Sequence, residues 1–396
     1  MSLSEGELLE DVRQRLFAPV RSAHPRAIGL ELELIPVHKA TRTRVLAIDD
    51  TRASSTQVLS LLGQRESWQE ESNGEDPPSW TLPDRARISF EPGGQIEIST
   101  APKPTASEVI DSTQRLVKLL REAMAASGIE LLARGVDPSN AIAAVPLQLH
   151  RERYAGMTRY FDSIGPSGVQ MMRQTAALQI NLERGVDPNS RWRLLNSLAP
   201  IVVALFANSR QYGGKATQWA SYRAHLWRTL DPSRTGIIYD EAAPAERYLR
   251  FALDAIAMRD RGSGYRAFRE LIGEGAIDRD SWLFHLSTLF PEVRPKEFLE
   301  LRSADTIDPD ALAAPVVFVT SLVYDDEAAH RAAELIGAPS EKMLERAGRL
   351  GMADPEIRKI VSRLVMLALE GARRLGEEYI RRPHVEAAYQ YFARAL

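Results

Sequence analysis

Apolar and polar residues alternate with a period of two in four stretches of the chain. In residues 27–37 (AIGLELELIPV), Ile28, Leu30, Leu32 and Leu34 fall on one side and Gly29, Glu31 and Glu33 on the other. Such alternation predicts a strand, because successive side chains leave a pleated backbone on opposite faces. In residues 87–99 (RISFEPGGQIEIS) two extended runs flank Pro92-Gly93-Gly94, a turn signal. Ile96 and Ile98 there oppose Gln95, Glu97 and Ser99, with Glu91 just before the turn. Residues 175–183 (TAALQINLE) set Ala176, Leu178, Ile180 and Leu182 against Ala177, Gln179, Asn181 and Glu183. A fourth strand is predicted over 298–302, with Leu299 and Leu301 opposite Glu300 and Arg302.

Helical spacing marks other segments. A clear helix is predicted over 107–127, with Thr105 or Ser107 as its cap and Gly128 as its stop. Others are predicted over 1–20, 51–63, 192–209 and 245–258, with Pro200 kinking the third or starting a new segment. Residues 42–50 read as a hairpin partner for the first strand, through Val45, Leu46 and Ile48, and 129–133 as a further strand. Residues 67–83 read as a polar loop near the site or a short hairpin, and 146–172 as a long connection with a Gly-Pro-Ser-Gly loop. A basic, aromatic stretch covers 210–240, and a Gly-rich excursion with a short helix at 265–271 covers 259–280. Residues 309–396 are mostly helical, with apolar stripes that suit packing.

Composition narrows the picture little. The chain has 396 residues, 44% of them hydrophobic, and a formal net charge of −3. That suffices for a large core, and the weak negative charge argues against bulk nucleic-acid binding. Absence of cysteine removes disulfides, thiolate metal sites and a cysteine nucleophile, and is compatible with a reducing cytosol. The acidic N-terminal stretch does not read as a signal peptide, and no run is apolar for long enough to span a membrane. A cytoplasmic location follows as the expectation.

Charge placement says more. A strand with paired glutamates is common on a protein surface. Two such strands, carrying Glu31 and Glu33 and flanked by Glu91 and Glu97, point instead to one shared polar face. Four carboxylates there repel unless a metal or basic groups neutralise them. Mg²⁺ prefers oxygen ligands and commonly bridges to phosphates. The local reading is a sheet face that holds Mg²⁺ and something phosphorylated.

Six motifs, in order, resemble the glutamate–cysteine ligase family, in its plant-like branch. They are IGLELE (28–33), FEPGGQIEIS (90–99), RYFDSIGPSGVQMMRQTAALQINLE (159–183), PIVVALFANS (200–209), SYRAHLWRTLDPSRTG (221–236) and HLSTLFPEVRPKEFLELRSAD (285–305). The wording RYFDSIGPSGVQMM is similar to the members that make γ-glutamylcysteine for ergothioneine synthesis. The resemblance implies an α+β fold, with a glutamine synthetase-like curved, largely antiparallel sheet and outer helices. It implies a single catalytic domain over 1–396, with 309–396 packed on it. It implies ATP, L-glutamate and L-cysteine as reactants and Mg²⁺ as cofactor, with no nucleic-acid or membrane partner; the oligomeric state stays open.

By the same match, Glu31, Glu33, Glu91, Glu97 and Glu300 are metal-ligand candidates. Arg302, two residues from Glu300 and so on its face, is the first choice for a substrate carboxylate or the transferred phosphoryl group, and joins Glu97 and Glu300 as the catalytic candidates. Tyr160, Gln179, Asn181, Arg223, Arg234, Arg294 and Lys296 are candidate substrate contacts. Gln179 stands where one bacterial branch has a metal-binding histidine, whereas the plant-like branch also has glutamine. Trp219 and Trp227 are expected beside the site or in the core, and His285 in a structural role. The implied reaction forms γ-glutamyl phosphate and then an amide, with no protein nucleophile. The same chemistry on another amine, and a catalytically silent binding relative, are the alternatives.

Overall fold

The computed structural model describes residues 3–258, 264–275 and 277–396. Nine strands form the main sheet: β1 (Ile28–His38), β2 (Gln69–Asn73), β3 (Asp76–Thr81), β4 (Arg87–Phe90), β5 (Ile96–Ser99), β6 (Ile129–Leu132), β7 (Ala177–Leu182), β8 (Val293–Pro295) and β9 (Leu299–Asp305). Their order is β8-β9-β7-β1-β5-β4-β3-β2, with β6 on the C-terminal half of β1, and every pairing is antiparallel. The curved, glutamine synthetase-like sheet implied by the resemblance is not what forms. The ladder runs from β8 to β2 without joining its ends, so the sheet is open and does not curl or close on itself. Alternation along a strand specifies which side chains share a face; it carries no information about how far the sheet bends.

The oily face predicted from alternation is buried. Leu30, Leu32, Leu34, Ile96, Ile98, Leu178, Ile180, Leu299 and Leu301 all belong to one apolar core. Helix Ala106–Ala126, capped by Thr105 through Glu108 N, covers it with helix Pro188–Leu205. The latter runs as a single helix with Pro200 inside it, starting at Pro188, where a missing N–H costs nothing. Helix Ala313–Tyr324 is buried at every position, as its uniformly apolar sequence requires. Helices Pro355–Leu375 and Arg382–Ala395 pack on it. No described helix is long and apolar enough to cross a membrane.

Several segments depart from expectation. The N-terminal helix is confined to Glu5–Asp11 and a wider turn, Val12–Leu16. Residues 42–50 form no strand; a single bridge joins Arg44 to Val37, and Ile48 is exposed. Residues 67–83 take the second of their two expected forms, the β2–β3 hairpin. The excursion expected over 259–280 lies partly outside the described residues; its helix is Phe268–Gly273. The connection 146–172 contains two helices, Glu152–Ile164 and Pro166–Gln174, broken at Gly165 (φ +146°). Gly165-Pro166 reads as a loop in sequence, yet proline at the first helical position starts the second helix. Gly168 lies against the Phe161 ring, where a Cβ would overlap it. Together the two helices cover the polar face of the sheet, and their Met157, Phe161, Met171 and Met172 form a second apolar cluster with Trp227 and Phe290.

The β4–β5 turn is equally tight. Gly94 adopts φ +77°, and a Cβ on Gly93 would overlap the Arg173 carbonyl. Gly93→Ala is therefore expected to cost about 1–3 kcal/mol or more through forced separation of turn and helix. Gly6→Ala, in an exposed helix with open space around it, should be neutral or slightly stabilising. Thermal unfolding of the two variants against the parent checks both.

Candidate active site

Register brings the polar residues into rows. Glu33 lies opposite Glu97, and Glu97 opposite Ser89. Glu31 sits between Ser99 and Gln179. Asn181 lies between Gly29 and Glu300, and Glu300 opposite Arg294. Six strands thus put acidic groups at one end of the face and a mixed cluster at the other. The cleft between this face and the covering helices has a volume of about 200 Å³.

At the acidic end, one oxygen from each of Glu33, Glu91 and Glu97 lies within 4.8 Å of the others. Glu33 accepts hydrogen bonds from Ala177 N (2.9 Å) and Gln179 Nε2 (3.2 Å). Glu97 accepts from the hydroxyls of Ser99 (2.9 Å) and Ser89 (3.3 Å). Burial, reinforced by the Glu97 charge, pushes the Glu33 carboxyl from 4.5 to about 7. Burial followed by the charges of Glu97 and Glu33 holds Glu91 well above the usual range. Glu31, which accepts from Asn181 Nδ2 at 3.0 Å, is raised by burial and by Glu300 and Glu97. Three converging carboxylates, of which Glu33 and Glu91 are held protonated above the usual range, are an all-oxygen donor set suited to a hard divalent cation.

Glu300 is placed differently. It is fully buried and receives Arg294 Nε (2.6 Å), Arg302 Nη1 (2.6 Å) and Lys296 Nζ. Burial alone would raise its pKa, but these three cations hold it well below the ordinary carboxylate range. Arg302 also donates to Gln179 Oε1 at 2.6 Å and keeps a buried Nε without a partner. The guanidinium groups of Arg302 and Arg223 both lie over the Trp227 ring, at 5.4 and 4.8 Å. Arg223 donates to the Arg302 carbonyl (2.6 Å) and lines the cleft.

Four candidate substrate contacts, Tyr160, Asn181, Arg234 and Lys296, fall outside the cleft lining. Tyr160 donates to Asp231 (2.6 Å), and Arg234 binds the same carboxylate (2.7 Å) and the Thr288 carbonyl (2.9 Å). With the Arg234 guanidinium 4.9 Å above the Tyr160 ring, this is a buried brace for the covering helices. Lys296 opens instead onto a neighbouring cavity of about 330 Å³, which shares Arg153 and Arg294 with the cleft. His285 stacks on Phe268 at 4.0 Å and donates Nε2–H to the Ala252 carbonyl; burial pushes its pKa down to about 3. Trp219 stacks on His225, away from the cleft. Sequence reading missed Arg153, Tyr154, Met157, Met171 and Met172, all of which line the cleft. Their signal was the helical spacing hidden on either side of Gly165-Pro166.

A family model described as glutamate-cysteine ligase family 2 (GCS2) matches residues 27–390. The chain belongs to this family. Among its relatives is glutamate–cysteine ligase EgtA of Mycolicibacterium smegmatis, 32% identical over 79% of this chain and 77% of its own length. The chloroplastic glutamate–cysteine ligase of Arabidopsis thaliana is 31% identical over 81% of this chain and 66% of its own length. Bacterial and plant relatives thus match GCS2 sequence about equally, and the plant-like assignment gives way to the family as a whole. A crystal structure of the Francisella tularensis glutamate–cysteine ligase in complex with AMP shares the fold, with a TM-score of 0.53 and 11% identity over 96% of this chain and 83% of that one.

The raised Glu33 pKa has a sign that solution measurements can read. The folded state holds a proton that the unfolded chain releases near pH 4.5, so this contribution to stability is greatest below 4.5 and is lost as pH rises to about 7. A cation competing for the same oxygens offsets the loss. In EDTA the midpoint of thermal unfolding should fall across that window, and Mg²⁺ should raise it more at pH 7.5 than at pH 5. Glu33→Gln should flatten the EDTA profile and abolish most of the Mg²⁺ effect.

Proposed function

We propose that this chain joins the γ-carboxylate of L-glutamate to the amine of L-cysteine, using ATP and giving γ-glutamylcysteine, ADP and phosphate. The observation that carries the reading is a single cleft, in a member of this family, where a cation-binding carboxylate cluster and Arg302 share one sheet face. A γ-carboxylate oxygen attacks the γ-phosphorus of ATP and ADP leaves, producing an acyl phosphate. The amine nitrogen then attacks the acyl carbon, phosphate departs, and the nitrogen loses a proton. No protein side chain forms a bond, so the protein contributes position and charge.

We assign Glu33, Glu91 and Glu97, with Glu31 beside them, as the residues that would hold Mg²⁺, which would supply neutralisation of phosphate charge. Arg302, with an unpartnered donor, is assigned to the transferring phosphoryl group or the carboxylate it joins. Arg223 contacts substrate from the same side, while Gln179 and Asn181 orient Glu33 and Glu31. Arg294 and Lys296 are proposed to draw in the ATP phosphates from the neighbouring cavity, which Arg153 also borders. Glu300, held by Arg294, Lys296 and Arg302, would orient these cations toward phosphate. The soft wall of Met157, Met171, Met172 and Trp227 suits a small acceptor with a thiol. We further propose that residues 309–396 belong to the same catalytic domain and that the reaction runs in the cytoplasm, where the thiol stays reduced.

Phosphate release from MgATP with glutamate, with and without cysteine, and the mass of the product test this reading. Cysteine-dependent release with a γ-glutamylcysteine mass is expected, with 2-aminobutyrate a much poorer acceptor. Release stimulated only by another amine would keep the acyl phosphate and replace the acceptor. Folded protein that yields no phosphate with any amine would leave the silent relative. Arg302→Lys is expected to lower kcat by about 10²–10³-fold.

A further inference from the structure

The Pro92-Gly93-Gly94 turn separates Glu91 from Glu97, and its backbone is held by side chains that the proposed reaction does not use. Arg44 donates Nε–H to the Gly93 carbonyl (3.2 Å) and Nη2–H to the Arg173 carbonyl (2.8 Å). Its Nη1 meets Asp137 Oδ2 at 3.0 Å, and the two side chains are 1% and 0% exposed. Gln148 Nε2 donates to the same Gly93 carbonyl at 2.7 Å, and its backbone N donates to the Pro92 carbonyl at 2.8 Å. Gln95 accepts from Gly93 N (3.0 Å) and donates to the Thr175 carbonyl (2.7 Å).

One guanidinium therefore spans both walls of the cleft. On one side is the turn that follows Glu91. On the other is the end of helix Pro166–Gln174, which carries Met171 and Met172 and leads into Thr175. Three acceptors in three fixed directions match the planar fork of arginine, which an ammonium group does not reproduce. A buried ion pair is a weak source of net stability, so geometry is the better account of why Arg44 and Asp137 are there.

We infer that Arg44 is a positioning residue that, through the Gly93 and Arg173 carbonyls, sets the spacing between the Glu91 side of the carboxylate cluster and the opposite cleft wall, and so the cluster's affinity for a divalent cation. This rests on the proposed reading of Glu33, Glu91 and Glu97 as cation ligands.

The test is Mn²⁺ binding to the full chain, followed by electron paramagnetic resonance without turnover. Arg44→Lys is expected to raise the half-saturating Mn²⁺ concentration about tenfold. Excess Mn²⁺ should restore part of its lost kcat. Leu322→Ala, a destabilising core change in helix Ala313–Tyr324, should leave Mn²⁺ binding within twofold of the parent. An Arg44→Lys protein that binds Mn²⁺ like the parent, or a Leu322→Ala protein shifted as far, overturns the inference. Where Arg44→Lys does not fold, Gln148→Met, which removes the second hold on Gly93, is judged by the same criteria. Parent binding that Glu91→Gln abolishes and Arg44→Lys spares defeats the clamp alone. Absent Mn²⁺ binding, or binding that Glu91→Gln leaves intact, defeats the cation reading and the clamp with it.

Discussion

Charge sorted along one buried sheet face is the constraint on which the rest of this structure depends. Glu33 and Glu97 lie directly across from each other on neighbouring strands, an arrangement that like charges ordinarily oppose. Glu91 joins them from the turn, across a cleft lined on its other side by two helices. Burial and mutual repulsion push the same way, toward holding protons on Glu33 and Glu91. At the other end of the face, Glu300 is surrounded by Arg294, Lys296 and Arg302 and pushed the opposite way. Clustered acidic groups and clustered basic groups therefore sit side by side, each costly to bury alone.

The remainder of the molecule supports that arrangement. The opposite sheet face is aliphatic and closed by helices Ala106–Ala126 and Pro188–Leu205, so the sheet's own stability does not rely on the charged side. The covering helices are braced from below by the Tyr160–Asp231–Arg234 group and at the turn by Arg44, Gln148 and Gln95. Both braces consist of buried polar groups aimed at backbone carbonyls or at one another, which tolerate little displacement.

What could be read in the sequence followed from local periodicity. The strand alternation in 27–37, 87–99 and 175–183 identifies Glu31, Glu33, Glu97, Gln179 and Asn181 as face-mates before any contact is known. The covering helices escaped notice because Gly165-Pro166 interrupts their spacing. Residues 42–50 alternate as a strand would, yet their backbone is used in single contacts to Pro36 and to the following helix instead of a ladder. Tyr160 and Arg234 sit in motif segments but bond each other's neighbour, Asp231. No local rule singles out Arg153 within its helical spacing or Arg44 within its alternating stretch.

The sequence by itself determined which side chains share a strand face, that carboxylates are concentrated there, and that no thiolate chemistry is available. Those are properties of consecutive residues, set by the two-residue repeat of an extended backbone and by composition. Tertiary structure alone decided that β9 pairs with β7, bringing Glu300 and Arg302 beside strands more than a hundred residues away in the chain. It decided that Glu300 meets three cations while Glu33, Glu91 and Glu97 meet one another, and that the sheet stays open. Pairing order, curvature and the balance of burial against charge arise between segments, where the period of any one segment carries no information.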